Sequence, residues 1–356
     1  MLQILTITFP FFALVAAGYA AARRRLLPLE AIPGLNGFVL FFALPCMLYR
    51  FCSTTPLAQL LDGGVFAVWG VCGLVLVPVV VAFSRNLHGA RRVGPRMGWN
   101  DAAFGALVAA FPNTGFIGVP LVVALLGAQG AGPVIITLIF DLVVTSSLCI
   151  ALSRLDGADQ HGAAKAARHA LRGVLVNPLP WAIGLGGLAS ALHWQPPVPL
   201  WRTLTMLADA ASPVALFTIG VVLARSAMLT RGAAGVAGGF QVGIAMTAVG
   251  GVLVPARAAV RPRALAPVDY LPVVVIKLAL HPLLVWLVGL GLIKAGLPLS
   301  PTALTALVLV AALPSASNVA MLAERSGADS GRIARIILLT TAASFFSFPL
   351  VAAWLH

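Results

Sequence analysis

Apolar residues run along this chain in long blocks, with polar residues confined to short joints between them. A helix needs about 20 mostly apolar residues to cross the hydrocarbon of a bilayer. By that measure the pattern predicts spans at residues 2–22, 31–50, 65–84, 101–126, 132–153, 173–193, 203–224, 271–293, 302–324 and 332–354. These ten spans leave no stretch for a soluble domain. One of them is unusual: "FPNTGFIGVPLV" (111–122) places two prolines, two glycines and polar residues in the middle of an otherwise apolar run.

Composition agrees with a membrane solvent. Hydrophobic residues are 60% and charged residues 9% of the chain, where ordinary soluble domains are about a quarter charged. The net charge of +13 would suggest nucleic acid in a soluble protein, but here its position tells against that. Joints after the first, third, fifth, seventh and ninth spans hold nineteen Lys and Arg, including Arg23, Arg24, Arg25, Arg325 and Arg332, while the other joints hold only Arg50, Arg202 and Lys294. Positive-inside topology then puts the basic joints in the cytoplasm and both termini outside, in a multi-pass protein of the cell inner (plasma) membrane. The first run is read as a span and not a signal peptide, because its arginines follow the apolar block. Cys46, Cys52, Cys72 and Cys149 lie in or beside apolar runs without metal-binding spacing and read as packing residues. No cofactor is expected.

Residues 232–254 do not fit this scheme. They are apolar enough to span, and Gly235, Gly239 and Gly243 repeat at the spacing of closely packed membrane helices. Arginines flank both ends, so a re-entrant or surface-lying segment is expected, with crossing as the alternative.

Internal repetition gives the interrupted span its meaning. Ala109, Ala110 and Pro112 match Ala311, Ala312 and Pro314, and with a gap of two Gly127 and Ala128 match Gly327 and Ala328. The fourth and ninth spans therefore correspond, five helices apart, and an odd offset inverts the second half. The expected fold is all-α: ten transmembrane helices as two inverted five-helix repeats, at 1–153 and 173–356. A cytoplasmic joint at 154–172 separates them, and an inserted segment at 225–270 lies within the second. Paired interrupted helices in an inverted repeat are the sequence pointer to a secondary transporter and its binding site.

The chemistry follows from the interruption. Pro112 and Pro120 have no N–H to donate, so nearby carbonyls lose their partners. Irregular backbone at membrane depth is tolerated only where protein or a water-filled cavity satisfies it. Asn113 and Thr114 beside Pro112, and Ser315, Ser317 and Asn318 beside Pro314, are candidate substrate contacts; they also serve to cap the freed backbone. A half-helix starting at such a break presents N–H groups and partial positive charge, which favours a carboxylate.

Ionisable residues inside spans are functional candidates because a charge at the bilayer centre costs at least about 2.5–3.5 kcal/mol. Asp141 is the foremost, followed by Asp209, Lys277 and His281. Lys277 and His281, four apart, share a helix face, and a buried Asp141–Lys277 ion pair is expected to bridge the halves. The competing readings are that Lys277 and Asp209 snorkel or pair structurally and that His281, ahead of Pro282, serves packing.

At this point the chain resembles a bacterial member of the auxin efflux carrier family, which includes malonate-transporter-like proteins. The resemblance is carried by "PNTGFIGVPL" (112–121), "LPSASNVAMLAERSGAD" (313–329), "SPVALFTIGVVLA" (212–224) and "IKLALHPLLVWL" (276–287). It is supported by "GYAAARRRLLP" (18–28) and "FFALPCMLY" (41–49). The resemblance implies that the fourth and ninth helices cross at mid-membrane. It also implies a scaffold of the first, second, sixth and seventh helices beside a moving bundle, and export of organic anions. Two departures stand out: Val319 lies where the plant carriers have a second proline in the ninth helix, and the family pattern does not require residues 232–254.

Among rival functions, an intramembrane enzyme or an ATP-driven pump lacks any GxSxG, HExxH, aspartate-rich or Walker motif. The chain is therefore read as no enzyme. A receptor would need larger cytoplasmic joints. The expectation is a secondary active transporter exporting a mono- or dicarboxylate, malonate-like or auxin-like, by rocking or elevator-like alternating access. Its alternatives are a sodium- or proton-coupled uptake symporter and a gated anion channel of similar fold. Expected partners are the small organic anion, H+ or Na+ as coupling ion, and the lipid bilayer; a homodimer is compatible with the residues, and nucleic acid is not a partner.

Overall fold

Hydrocarbon offers a backbone amide no partner, so a chain of this composition satisfies its main chain within helices. The computed structural model describes residues 2–28, 31–90, 97–155, 178–235 and 267–355, and the regular elements among them are helical, with one isolated antiparallel bridge. In chain order the helices are α1 (Leu2–Arg23), α2 (Ile32–Thr54), α3 (Gly63–Ala90), α4 (Trp99–Ala110), α5 (Thr114–Leu126) and α6 (Ala128–Ser153). They continue as α7 (Pro178–Ala191), α8 (Val198–Gly235), α9 (Leu271–Lys294), α10 (Pro301–Ala312), α11 (Asn318–Arg325) and α12 (Ser330–Leu355). Six of these, α2, α3, α6, α8, α9 and α12, contain stretches long and apolar enough to cross a bilayer. Shorter apolar helices are Phe9–Arg23 within α1, α5 and α10. Most of the expected joint 154–172, and the expected segment 232–254 beyond Gly235, lie outside the described residues.

Three widened π turns have a common cause. Val39–Ala43 ends two residues before Pro45, Thr114–Gly118 two before Pro120, and Ile276–Leu280 two before Pro282. A proline ring clashes with the carbonyl four residues back and offers it no N–H. Each turn is instead closed by the amide just before the proline, which donates five residues back: Leu44 to Val39, Val119 to Thr114 and His281 to Ile276. The extra residue moves the clashing carbonyl aside. A fourth π turn, Asp141–Thr145, has no such proline; there the Ser146 hydroxyl donates to the Asp141 carbonyl at 2.8 Å.

Glycine sets the closest packing. α1 lies against α8 with backbones touching: a Cβ on Gly18 would fall 1.9 Å from the Phe217 carbonyl oxygen, and one on Gly220 1.9 Å from that of Val15. α7 meets α2 in the same way, at Gly186 against the Tyr49 carbonyl oxygen. Small residues are what allow such approach between membrane helices. α8 also packs on α2, so these four helices form one group. α3 packs on α4 and α9, α6 on α4, and α9 on α10.

Candidate functional site

α4 stops at Ala110 and α5 starts at Thr114; α10 stops at Ala312 and α11 starts at Asn318. Both intervening segments are extended, and they pair with each other. Pro112 stands opposite Ser315 in the antiparallel bridge, with the Asn113 amide donating to the Pro314 carbonyl (2.8 Å) and the Ala316 amide to the Phe111 carbonyl (3.0 Å). Two helix breaks that would each leave orphaned backbone groups thereby satisfy one another.

Further groups of the two breaks are met within the first segment and from α12. Asn113 is the centre of an inverse γ-turn (φ −77°, ψ 56°) closed by the Thr114 amide on the Pro112 carbonyl at 2.8 Å. Its own carbonyl accepts from Ile117 and Gly118 at 3.1 and 3.0 Å. The Ser315 amide donates to Thr340 Oγ1 on α12 at 3.2 Å. Gly118 lies close to the second segment: a Cβ there would fall 2.8 Å from Leu313 Cδ1, the end of a side chain that would have to turn aside.

Pro112, Asn113, Thr114, Pro314 and Ser315 thus come together, with Ser317 and Asn318 at the start of α11 beside them. Asn113, Thr114 and Ser315 are buried, and Ser317 and Asn318 are half-buried. Ser315 Oγ and Asn318 Oδ1 are inaccessible atoms without a hydrogen-bond partner. Of the two prolines of the interrupted span, only Pro112 lies in the break, which covers residues 111–113; the π turn absorbs Pro120 inside α5. The second break forms without a second proline.

The buried charges lie in two linked clusters. Asp141 Oδ1 accepts from the Trp69 indole N–H at 3.1 Å and from the Thr145 hydroxyl at 2.7 Å. Lys277 Nζ donates to the Ala311 carbonyl at 2.9 Å and lies 3.1 Å from His281 Nδ1. With an ammonium at Lys277, His281 is neutral and accepts at Nδ1, so its ring proton sits on Nε2. The Trp69 ring, 5.4 Å from that of His281, connects the clusters. Each charged residue sits in a π turn, Asp141–Thr145 on α6 and Ile276–Leu280 on α9.

The ionisable residues singled out in the sequence are placed differently from one another. The expected Asp141–Lys277 ion pair is not formed: Asp141 Oδ1 accepts from Trp69 and Thr145, and the amine lies against the Ala311 carbonyl and His281. Lys277 does not snorkel; it is fully buried. Asp209 stands apart from both clusters, in a 2.7 Å ion pair with Arg50, its side chain 65% exposed.

Sequence reasoning missed Trp69, Thr340 and Arg332. A tryptophan or threonine in an apolar run carries no mark of its partner, although Thr145, four residues from Asp141, shares its helix face. Arg332, counted above with the exposed joints, is 2% exposed. Its Nε donates to the Asp269 carbonyl (2.7 Å) and its Nη1 to the Asp101 carbonyl (2.8 Å). Asp329 Oδ1 accepts from the Arg332 amide as a helix cap, and the Asp329 amide donates to Asp101 Oδ1.

An all-helical membrane protein with two paired helix breaks and buried charges beside them falls in the class of membrane transport proteins. Sequence comparison gives the family. The family described as "Membrane transport protein" matches residues 3–352, and the chain belongs to it, together with the auxin efflux carriers. The chain is 28% identical over 341 residues, 96% of its length and 92% of the relative's, to a "Putative malonate transporter" of Rhizobium meliloti (strain 1021). It is 22% identical over 268 residues to "Auxin efflux carrier component 8" of Arabidopsis thaliana, covering 62% of this chain and 72% of the relative. An "Uncharacterized transporter YfdV" of Escherichia coli (strain K12) is 27% identical over 218 residues, 60% of this chain and 67% of the relative.

Proposed function

We propose that the chain is a secondary active transporter that exports a small organic anion across the cytoplasmic membrane by alternating access. The anion is a mono- or dicarboxylate, malonate-like or auxin-like. The observation that carries this reading is the backbone pairing of residues 111–113 with 314–316. It joins two half-helix beginnings, α5 and α11, whose N–H ends bear partial positive charge suited to a carboxylate. Asn113, Thr114, Ser315, Ser317 and Asn318 surround that point as substrate contacts, and Pro112, Pro120 and Pro314 keep the backbone there from closing into continuous helix.

In this reading the chain crosses the membrane ten times, as two inverted five-helix repeats at 1–153 and 173–356, with both termini outside. α1, α2, α7 and α8, which pack on each other, serve as the scaffold, and the paired breaks move with the rest. Names of relatives supply the substrate class: one is called a malonate transporter and another an auxin carrier.

The test is counterflow of a carboxylate panel, malonate and indole-3-acetate included, in proteoliposomes. Wild type is expected to exchange at least one carboxylate saturably. A hydrogen bond to a charged group contributes about 1.5–3 kcal/mol, so Asn113→Ala should weaken transport roughly tenfold to a hundredfold. Failure of every carboxylate, or a folded Asn113→Ala protein with unchanged transport, would overturn the reading.

A further inference from the structure

A helix that stops inside a protein leaves its last carbonyls without amides and a partial negative charge at its C-terminal end. α10 stops in this way at Ala312. In a continuous helix the Ser315 amide would close on the Ala311 carbonyl; here it turns to Thr340 Oγ1 instead. The Ala311 carbonyl is taken by Lys277 Nζ at 2.9 Å, and the same nitrogen lies 3.1 Å from His281 Nδ1. Lys277 is fully buried, on a π turn. Asp141 faces this group across Trp69, and its Oδ2 is an inaccessible atom without a hydrogen-bond partner.

A carbonyl at a helix break and an imidazole nitrogen accept from an ammonium group, and the charge of a carboxylate beyond Trp69 favours a cation there. In carriers with discontinuous helices, such carbonyl ends are where coupling ions are held. We propose that the Lys277 ammonium is a resident cation: it fills, on a covalent tether, the cation position made by the Ala311 carbonyl, His281 Nδ1 and the charge of Asp141. This position is then filled without a sodium ion, and removing the amine opens it to a small alkylammonium ion or sodium. Charge balance is kept in either case, because one bound monovalent cation replaces one ammonium opposite one carboxylate.

The transport arm of the test rests on the carrier reading above; the stability arm does not. Unfolding midpoints of the purified protein in detergent are measured in sodium, choline and propylammonium chloride at constant ionic strength. Wild type is expected to have the same midpoint in sodium and choline. Lys277→Ala should be less stable in choline and gain stability with the logarithm of sodium or propylammonium concentration, as ligand linkage requires. Lys277→Met, which refills the space with an apolar chain, and Lys277→Ala combined with Asp141→Asn should lose that response. In proteoliposomes, wild-type counterflow should be equal in sodium and choline.

A saturable sodium-dependent rise in the wild-type midpoint or counterflow would overturn the proposal. So would a folded Lys277→Ala protein that responds to neither cation. If Lys277→Ala does not fold in choline, folding restored by propylammonium or sodium supports the proposal and failure of both to restore it overturns it. If no carboxylate is exchanged at all, the carrier reading fails while the midpoints still decide the cation site.

Discussion

Pro112 and Ser315 face each other across an antiparallel pair, at a position where neither residue donates to the opposite strand. In such pairing the two residues directly opposite do not exchange hydrogen bonds; their neighbours do. Pro112 has no N–H to waste there, and the Ser315 amide is turned outward to α12. The second proline, Pro314, contributes only its carbonyl, to Asn113. Both prolines thus occupy places that want no donor, so neither break sets an unmet proline position against the other strand.

That outward amide makes Thr340 a structural support of the break. Thr340→Val keeps the shape but removes the acceptor, leaving a buried N–H unmet at a cost of about 1–3 kcal/mol. Thr340→Ser keeps the oxygen and should lose less. Unfolding midpoints in detergent measure the difference, and equal stability of Thr340→Val and wild type would show that the Ser315 amide finds another partner.

The α1–α8 contact predicts a sharp contrast between glycines. Gly18→Ala drives a methyl to within 1.9 Å of a backbone oxygen, and only movement of a helix relieves it. Overpacking of this kind costs about 1–3 kcal/mol or more. Gly291→Ala on α9 meets nothing within 4 Å and should be neutral or mildly stabilising, since alanine favours helix by about 1 kcal/mol over glycine. Comparable midpoints for the two variants would mean that α1 and α8 do not touch as described.

How far the site could be read in advance depended on where each partner lies. The break positions were legible because Pro112 and Pro314 lack an N–H and recur in matching contexts. The extent of the first break was not, because a missing donor at Pro120 can be absorbed either by an open loop or by a π turn, and the turn is what forms. The second break has no proline near Val319 to mark its extent. Its supports, Lys277 on the Ala311 carbonyl and Thr340 on the Ser315 amide, lie on other helices and share no local pattern with it. Burial of Lys277 and exposure of Asp209 likewise follow from tertiary placement, not from position along a span.

Asp209, exposed, and Asp141, buried, should therefore behave differently. Asp209→Asn removes an exposed pair with Arg50, worth under about 1 kcal/mol, and should leave counterflow intact. Asp141→Asn strips the counter-charge from a buried lysine, for which breaking a buried pair suggests about 3–5 kcal/mol. The two groups are not in contact, so the lower figure is expected. Adding Lys277→Met should recover part of the loss, a coupling that a double-mutant cycle reads directly. Additive losses at Asp141 and Lys277, or abolished transport in Asp209→Asn, would refute the assignment.

Arg332 fastens three segments at the starts of α4, α9 and α12. Its guanidinium reaches the Asp269 and Asp101 carbonyls in two directions, while its amide is capped by Asp329. A lysine ammonium is a point charge on a flexible stem and cannot reproduce that fork. Arg332→Lys should therefore lose at least one hydrogen bond to a charged group, about 1.5–3 kcal/mol. Asp329→Ala, which removes the cap, should cost about 0.5–2 kcal/mol. Hydrogen exchange separates the two effects: Arg332→Lys should speed exchange at the first turns of both α4 and α12, whereas a change confined to α12 would mean that the arginine does not tie the segments together.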